Sequence, residues 1–184
     1  MPCKLITFAN GEPCIKPLLI FKGTGPRIPD TEKRQHDPRV MVKLEENAWC
    51  NEEMMVFWLR NMWMKPNMSG QPCDRVLIYD AHRAQTTERV KTILTQECQM
   101  TLGLVPPGAT NKVQPLDVTF NVEFKKGDNR LATEHLSTNP ECFMTGKATA
   151  GDRQVLFTKL VGTAWQETSR RLKDTVVCSF ESKT

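Results

Sequence analysis

Arg75-Val76-Leu77-Ile78-Tyr79-Asp80-Ala81-His82 is the stretch on which the fold turns. Its apolar run is short and predicts a buried β-strand, which stops abruptly on a carboxylate. A second acid stands further on, in Val105-Pro106-Pro107-Gly108-Ala109-Thr110-Asn111-Lys112-Val113-Gln114-Pro115-Leu116-Asp117. Two aspartates at the edges of ordered elements suit a pair of Mg²⁺ ions and phosphoryl-transfer chemistry. Asp80 also suits the plainer task of capping the turn into the next helix. Asp117 equally suits a helix start, where an acid meets the positive end of the dipole.

Elements on either side of Asp80 build an alternating pattern. Upstream, Lys4–Ala9 alternates and meets Asn10-Gly11, a strong hairpin signal, with Pro17–Phe21 as the return strand. Residues 23–37 read as an exposed loop, and Arg39–Lys43 as a half-buried strand. Gly23-Thr24-Gly25 lacks the third glycine and the Gly-Lys-Ser/Thr ending of a phosphate loop, so a plain turn is the better reading. Asn51 caps a predicted helix with Glu52 and Glu53 in its first turn. Met54, Met55, Trp58, Leu59, Met62 and Trp63 give that helix a core stripe rather than a base-stacking face.

Downstream, Thr86 or Thr87 caps a helix with Val90, Ile93 and Leu94 inward, and Met100–Val105 is a second buried strand stopped by Pro106-Pro107. A helix bearing Val118, Phe124 and nearby lysines follows Asp117. Residues 131–150 read as loop. Asp152 then opens a long amphipathic helix carrying Leu156, Leu160, Val161, Ala164, Trp165 and Leu172. The sum is an α/β sheet covered by helices, with a helical tail.

Composition narrows the partners. With 184 residues, 25% charged and 39% hydrophobic, the chain is a folded domain rather than a disordered one. Its net charge of +4 permits a polyanion without requiring one. The 7 cysteines are scattered with no Cys-x-x-Cys pair, so they read as reduced thiols, not as a disulfide framework or a zinc knuckle. His36, His82 and His135 lack metal-ligand spacing to any of them. No run approaches the ~20 apolar residues of a membrane span, and the amino terminus carries no signal-peptide pattern.

Four stretches together resemble the DDE superfamily endonuclease domain: Pro17-Leu18-Leu19-Ile20-Phe21-Lys22-Gly23, Asn47-Ala48-Trp49-Cys50, Leu77–His82, and Pro106-Pro107 with Gln114-Pro115-Leu116-Asp117. More narrowly, they are similar to pogo-type transposases and their domesticated jerky, Tigger and centromere protein B relatives. Thr158-Lys159 and Ala164-Trp165 also fit, so the resemblance runs from about Leu5 to the end. It implies an RNase H-like mixed sheet flanked by helices, with three carboxylates around two Mg²⁺ or Mn²⁺ ions. Asp80 falls on the second acid of that triad and Asp117 on the third. The first acid belongs to an Asp-Glu-Thr-like motif upstream of the strand matched by Lys4–Ala9. The sequence is therefore expected to lack the first core strand and a complete active site, since Glu12, Asp30 and Asp74 do not match the motif. The implied boundaries are 1–136 for a partial endonuclease domain and 137–184 for a helical extension of it.

Other departures are smaller. Gln85, Gly108 and Asn111 stand where many relatives carry histidine, and His82 suits a positioning role better than a ligand's. DNA is the implied partner, with homo-oligomerisation left open, and the nucleus the implied location. Arg83, Lys112, Lys125 and Lys126 lie near the acids in sequence and are candidates for phosphate contact, although each alone also suits a solvated charged face. Three functions compete: a metal-dependent DNA nuclease or strand-transferase, a non-catalytic chromosomal module that kept the fold, and a small-substrate phosphohydrolase. The Pro-Pro and Gln-Pro-Leu-Asp setting of the second acid argues against the last.

Overall fold

The computed structural model describes residues 3–6, 8–12, 14–24, 28–63, 75–80, 86–105, 120–139 and 148–181. The chain is mixed α/β and divides into two compact units, Met1–Trp49 with Thr119–Thr184, and Cys50–Val118.

The first unit holds a three-stranded sheet in the order β1 (Cys3–Lys4), β2 (Leu18–Lys22), β3 (Met41–Glu45). β1 and β2 pair antiparallel with Cys3 opposite Leu19 and Lys4 opposite Leu18, which bears out the antiparallel pairing; the expected strand Lys4–Ala9 is corrected, since only Lys4 of it joins the ladder among the described residues. At the Asn10-Gly11 turn, the Gly11 N–H donates to the Phe8 carbonyl at 2.8 Å. Gly11 has φ +71°, and a Cβ there would lie 2.7 Å from the Lys173 carbonyl oxygen, so both conformation and space call for glycine.

Leu18, Leu19 and Ile20 are fully buried, the continuous apolar run of a strand covered on both faces. β3 runs parallel to β2, from Leu18 opposite Met41 to Lys22 opposite Glu45. The intervening crossover carries the short helix α1 (Asp30–Lys33). The strand begins two residues later than the alternation of Arg39–Lys43 predicts. Arg39 is instead drawn back onto Asp37: its backbone N–H and its Nε both donate to Asp37 Oδ1, at 2.8 and 2.9 Å.

Three helices complete this unit: α4 (Asn121–Thr138), α5 (Ala150–Arg171) and α6 (Lys173–Glu181). Phe120, Phe124 and Trp165 join α4 to α5, with the Phe120 and Trp165 rings 5.1 Å apart. The expected loop over 131–150 is corrected, because α4 continues to Thr138. Thr133, Ser137 and Thr138, poor helix formers by type, donate their hydroxyls to carbonyls four residues back. Arg130 ties this turn to Glu134 and to Glu167 of α5. α5 opens before Asp152, on a capping box. Thr149 Oγ1 accepts from the Asp152 N–H at 3.1 Å, and the Asp152 carboxylate accepts from the Thr149 N–H at 2.9 Å.

The second unit is a strand-helix-strand element preceded by a helix. α2 (Glu52–Trp58) is capped by Asn51, whose side chain accepts from the Met54 N–H at 3.0 Å, and it runs on into a π-helical turn, Leu59–Trp63. Met54, Met55, Trp58 and Leu59 are buried, as the stripe predicts. β4 (Arg75–Asp80) pairs parallel with β5 (Met100–Val105). Between them, α3 (Glu88–Thr92) is capped by Thr87, and a second π-helical turn, Ile93–Glu97, follows. Val90, Ile93 and Leu94 point inward as expected.

One expectation for β4 needs correction. Leu77 and Tyr79 are buried, but Val76 is 60% and Ile78 41% exposed. The strand therefore alternates instead of being buried on both faces.

Candidate functional site

Asp80 is the last residue of β4 and lies opposite Val105, the last residue of β5. The backbone thus delivers it to the carboxyl edge of a parallel strand pair, where open α/β sheets collect their chemistry. Val105 is also where the chain leaves β5 towards Asp117, so both acids follow from the same edge in sequence. Asp117, Arg83, Lys112 and His82 lie outside the described residues, as does the Asp80 side chain. Among the described residues no group of three or more His, Cys, Asp or Glu side chains is arranged to hold a metal.

Tyr79, one residue before the acid, is a feature that the sequence does not reveal. Its ring is buried in the second unit and its hydroxyl has no hydrogen-bond partner among the described residues. Burial raises the phenol above its ordinary range, and the Lys91 ammonium pulls it partly back.

Lys125 and Lys126 lie on α4 in the first unit, and both are exposed. Lys126 Nζ pairs with Glu123 at 2.7 Å, while Lys125 has no ion-pair partner among the described residues. Glu123 also receives Arg171 of α5 at 2.8 Å. The Lys126 hydrogen bond, with the charges of both cations, holds its carboxyl below the usual range.

A cleft of about 270 Å³ opens here between α4 and α5, lined by Glu123, Lys126, Gly127, Arg130, Glu167 and Arg171, with Thr168. Every cation in it is matched by a carboxylate, Arg130 by Glu134 at 2.8 Å and Glu167 at 2.7 Å. The i,i+3 and i,i+4 partners were available in the sequence, but the pairs across to α5 were not.

A second network missed by sequence reading is structural. Asp37 is buried, and its backbone N–H donates to Thr158 Oγ1 of α5 at 3.0 Å. Arg39 Nη2 reaches Asp37 Oδ2 at 2.6 Å and Thr163 Oγ1 at 3.0 Å. Gly162 leaves the room, since a Cβ there would lie 2.8 Å from the Asp37 carboxyl. On β1, burial and the charge of Asp128 push the Cys3 thiol up to about 12. That shift keeps the thiol protonated at neutral pH, and Cys3, Cys14 and Cys178 form no disulfide among the described residues.

Residues 4–176 match the model of the DDE superfamily endonuclease family. Among curated proteins, the human "Pogo transposable element with ZNF domain" is 27% identical over 123 residues. That match covers 62% of this chain but only 8% of that protein's length. No solved structure matches the chain.

Proposed function

From the premise that this chain belongs to the DDE superfamily of endonucleases, we propose a DNA-binding domain descended from a pogo-like transposase. Its chemistry is of the metal-dependent endonuclease and strand-transferase type, on an RNase H-like sheet to which residues 137–184 add a helical extension. The observation that carries this reading is the place of Asp80, at the carboxyl edge of the β4–β5 pair. In it, Asp80 and Asp117 are the metal-holding carboxylates. They are hard oxygen donors of the kind Mg²⁺ and Mn²⁺ select, so the donor set fits. When bound, such ions neutralise phosphate charge and activate an attacking hydroxyl at a phosphodiester.

The chain's own groups bind and orient the substrate. Arg83 and Lys112, near the two acids in sequence, meet phosphates. On α4 of the first unit Lys125 does the same, and Lys126 does so by exchanging its Glu123 partner for a phosphate oxygen. The protein would act in the nucleus, alone or as a homo-oligomer. A second reading is a domesticated, non-catalytic chromosomal module. It is supported by the mild net charge of +4 and by the pairing of Lys126, Arg130 and Arg171 with carboxylates.

Duplex binding measured by fluorescence anisotropy, with Mn²⁺ and with chelator, separates the two. The nuclease reading expects Mn²⁺ to tighten binding severalfold and Asp80→Asn or Asp117→Asn to cancel that gain. Binding indifferent to metal and to both substitutions would leave the non-catalytic module. Absence of DNA binding would overturn both as DNA-binding readings.

A further inference from the structure

Two stretches that carry the family resemblance, Phe21-Lys22-Gly23 and Asn47-Ala48-Trp49, contain neither of the two proposed metal-holding acids. The structure brings them to one strand end in the first unit. The Glu45 carbonyl, at the end of β3, accepts from the Gly23 N–H and from the Ala48 N–H, each at 3.0 Å. Lys22 lies directly opposite Glu45 in the parallel ladder.

The loop beyond Glu45 is braced. One oxygen of the Glu45 carboxylate accepts from the backbone N–H groups of Asn47 and Trp49, both at 2.8 Å. Ala48 sits between them at φ +55°, in the left-handed region that residues with a Cβ seldom adopt. A loop tightened in this way holds an indole in water: Trp49 is 72% exposed, whereas Trp58 and Trp165 are buried at 2% and 4%. A large apolar ring is an unfavourable group to leave in solvent. Lys22, across the ladder from the Glu45 whose carboxylate holds the Trp49 N–H, is an exposed cation with no ion-pair partner among the described residues. A flat π face and an ammonium at one strand end match the two parts of a nucleotide, base and phosphate.

We propose that Trp49 and Lys22 form a stacking site for an unpaired nucleotide, the indole taking the base and the ammonium its phosphate. The proposal rests on the reading of the chain as a DNA-binding domain and adds the kind of DNA it engages: duplex with an adjoining single-stranded segment. A base fits better than a protein side chain, because stacking tolerates any base whereas an apolar partner would leave Lys22 unmatched. Glu45, across the ladder from Lys22, and Glu46 in the loop put negative charge at the same strand end. Stacking therefore supplies most of the binding, and the overhang's contribution should depend only weakly on salt.

The test compares the whole chain's affinity for a blunt duplex and for the same duplex with a short oligothymidine overhang. The expected result is tighter binding of the overhang, about tenfold, with the indole fluorescence quenched. Trp49→Ala should remove that preference and leave blunt-duplex affinity unchanged. Trp49→Phe should retain part of it, and Lys22→Ala should lower it severalfold. Circular dichroism of each variant confirms folding, which substitution of an exposed ring should not disturb. Equal affinity for both DNAs, or a preference that survives Trp49→Ala, would overturn the stacking site while leaving the DNA-binding reading intact. Binding of neither DNA would overturn both.

Discussion

Asp37 shows how one side chain ties the loop before β3 to helix α5. The hydrogen bonds from the Arg39 guanidinium do most to hold its carboxyl below the usual carboxylate range, against the opposing effect of burial. The unfolded chain therefore takes up this proton at a higher pH than the folded one. The stabilisation is complete above the ordinary Asp range and is lost as pH falls through the lowered folded-state value. Asp37→Asn should cost about 1–2 kcal/mol at neutral pH, since it removes the charge from a pair whose carboxylate is buried but whose guanidinium is 36% exposed and screened by solvent. Urea unfolding followed from pH 7 to pH 3 checks both points: the wild-type advantage over the variant should shrink on acidification. An advantage that held constant would deny Asp37 this role. Nothing in the sequence marks Asp37 as special, because Thr158, which accepts its N–H, and Gly162, which leaves room for its carboxyl, are remote in the chain and meet it only on folding.

At the scale of elements, signals that act within one turn were readable from the residues. Asn51 and Thr87 cap their helices as their types and positions suggest, and the apolar stripes behind them are buried. The strand ending on Asp80 was also legible, because a short apolar run closing on an acid needs no distant partner to be recognised. Elements settled by distant contacts are not legible in this way. Asp37, which turns Arg39 away from the start of β3, is itself held by Thr158 of α5, and Arg130 near the end of α4 reaches Glu167. The half-exposed face of β4 was missed because an unbroken apolar run looks the same whether one face or both are covered.

The α5 capping box makes a local claim of this kind testable. Thr149→Ala removes an acceptor for the Asp152 N–H and should cost about 1 kcal/mol. It should also speed amide exchange in the first turn of α5 while leaving the Phe120–Trp165 region protected. Unchanged stability and exchange would show that the cap is idle.

For the molecule as a whole, the family is shown by a match running over residues 4–176, and the strand register places Asp80 at the carboxyl end of the β4–β5 pair. The candidate site was partly legible. Asp80 and Asp117 stand out by their motifs, whereas the charge-matched cleft on α4 and α5 and the braced Trp49 loop arise from chain segments far apart in sequence. What unites the functional account is the claim that Asp80 and Asp117 serve a common divalent ion. Calorimetric titration of the chain with Mn²⁺ measures this directly, in wild type, Asp80→Asn, Asp117→Asn and the double variant. If the two carboxylates share an ion, either single substitution removes most of the affinity and the double variant loses little more. Losses that simply add, or Mn²⁺ affinity untouched by either substitution, would contradict the account.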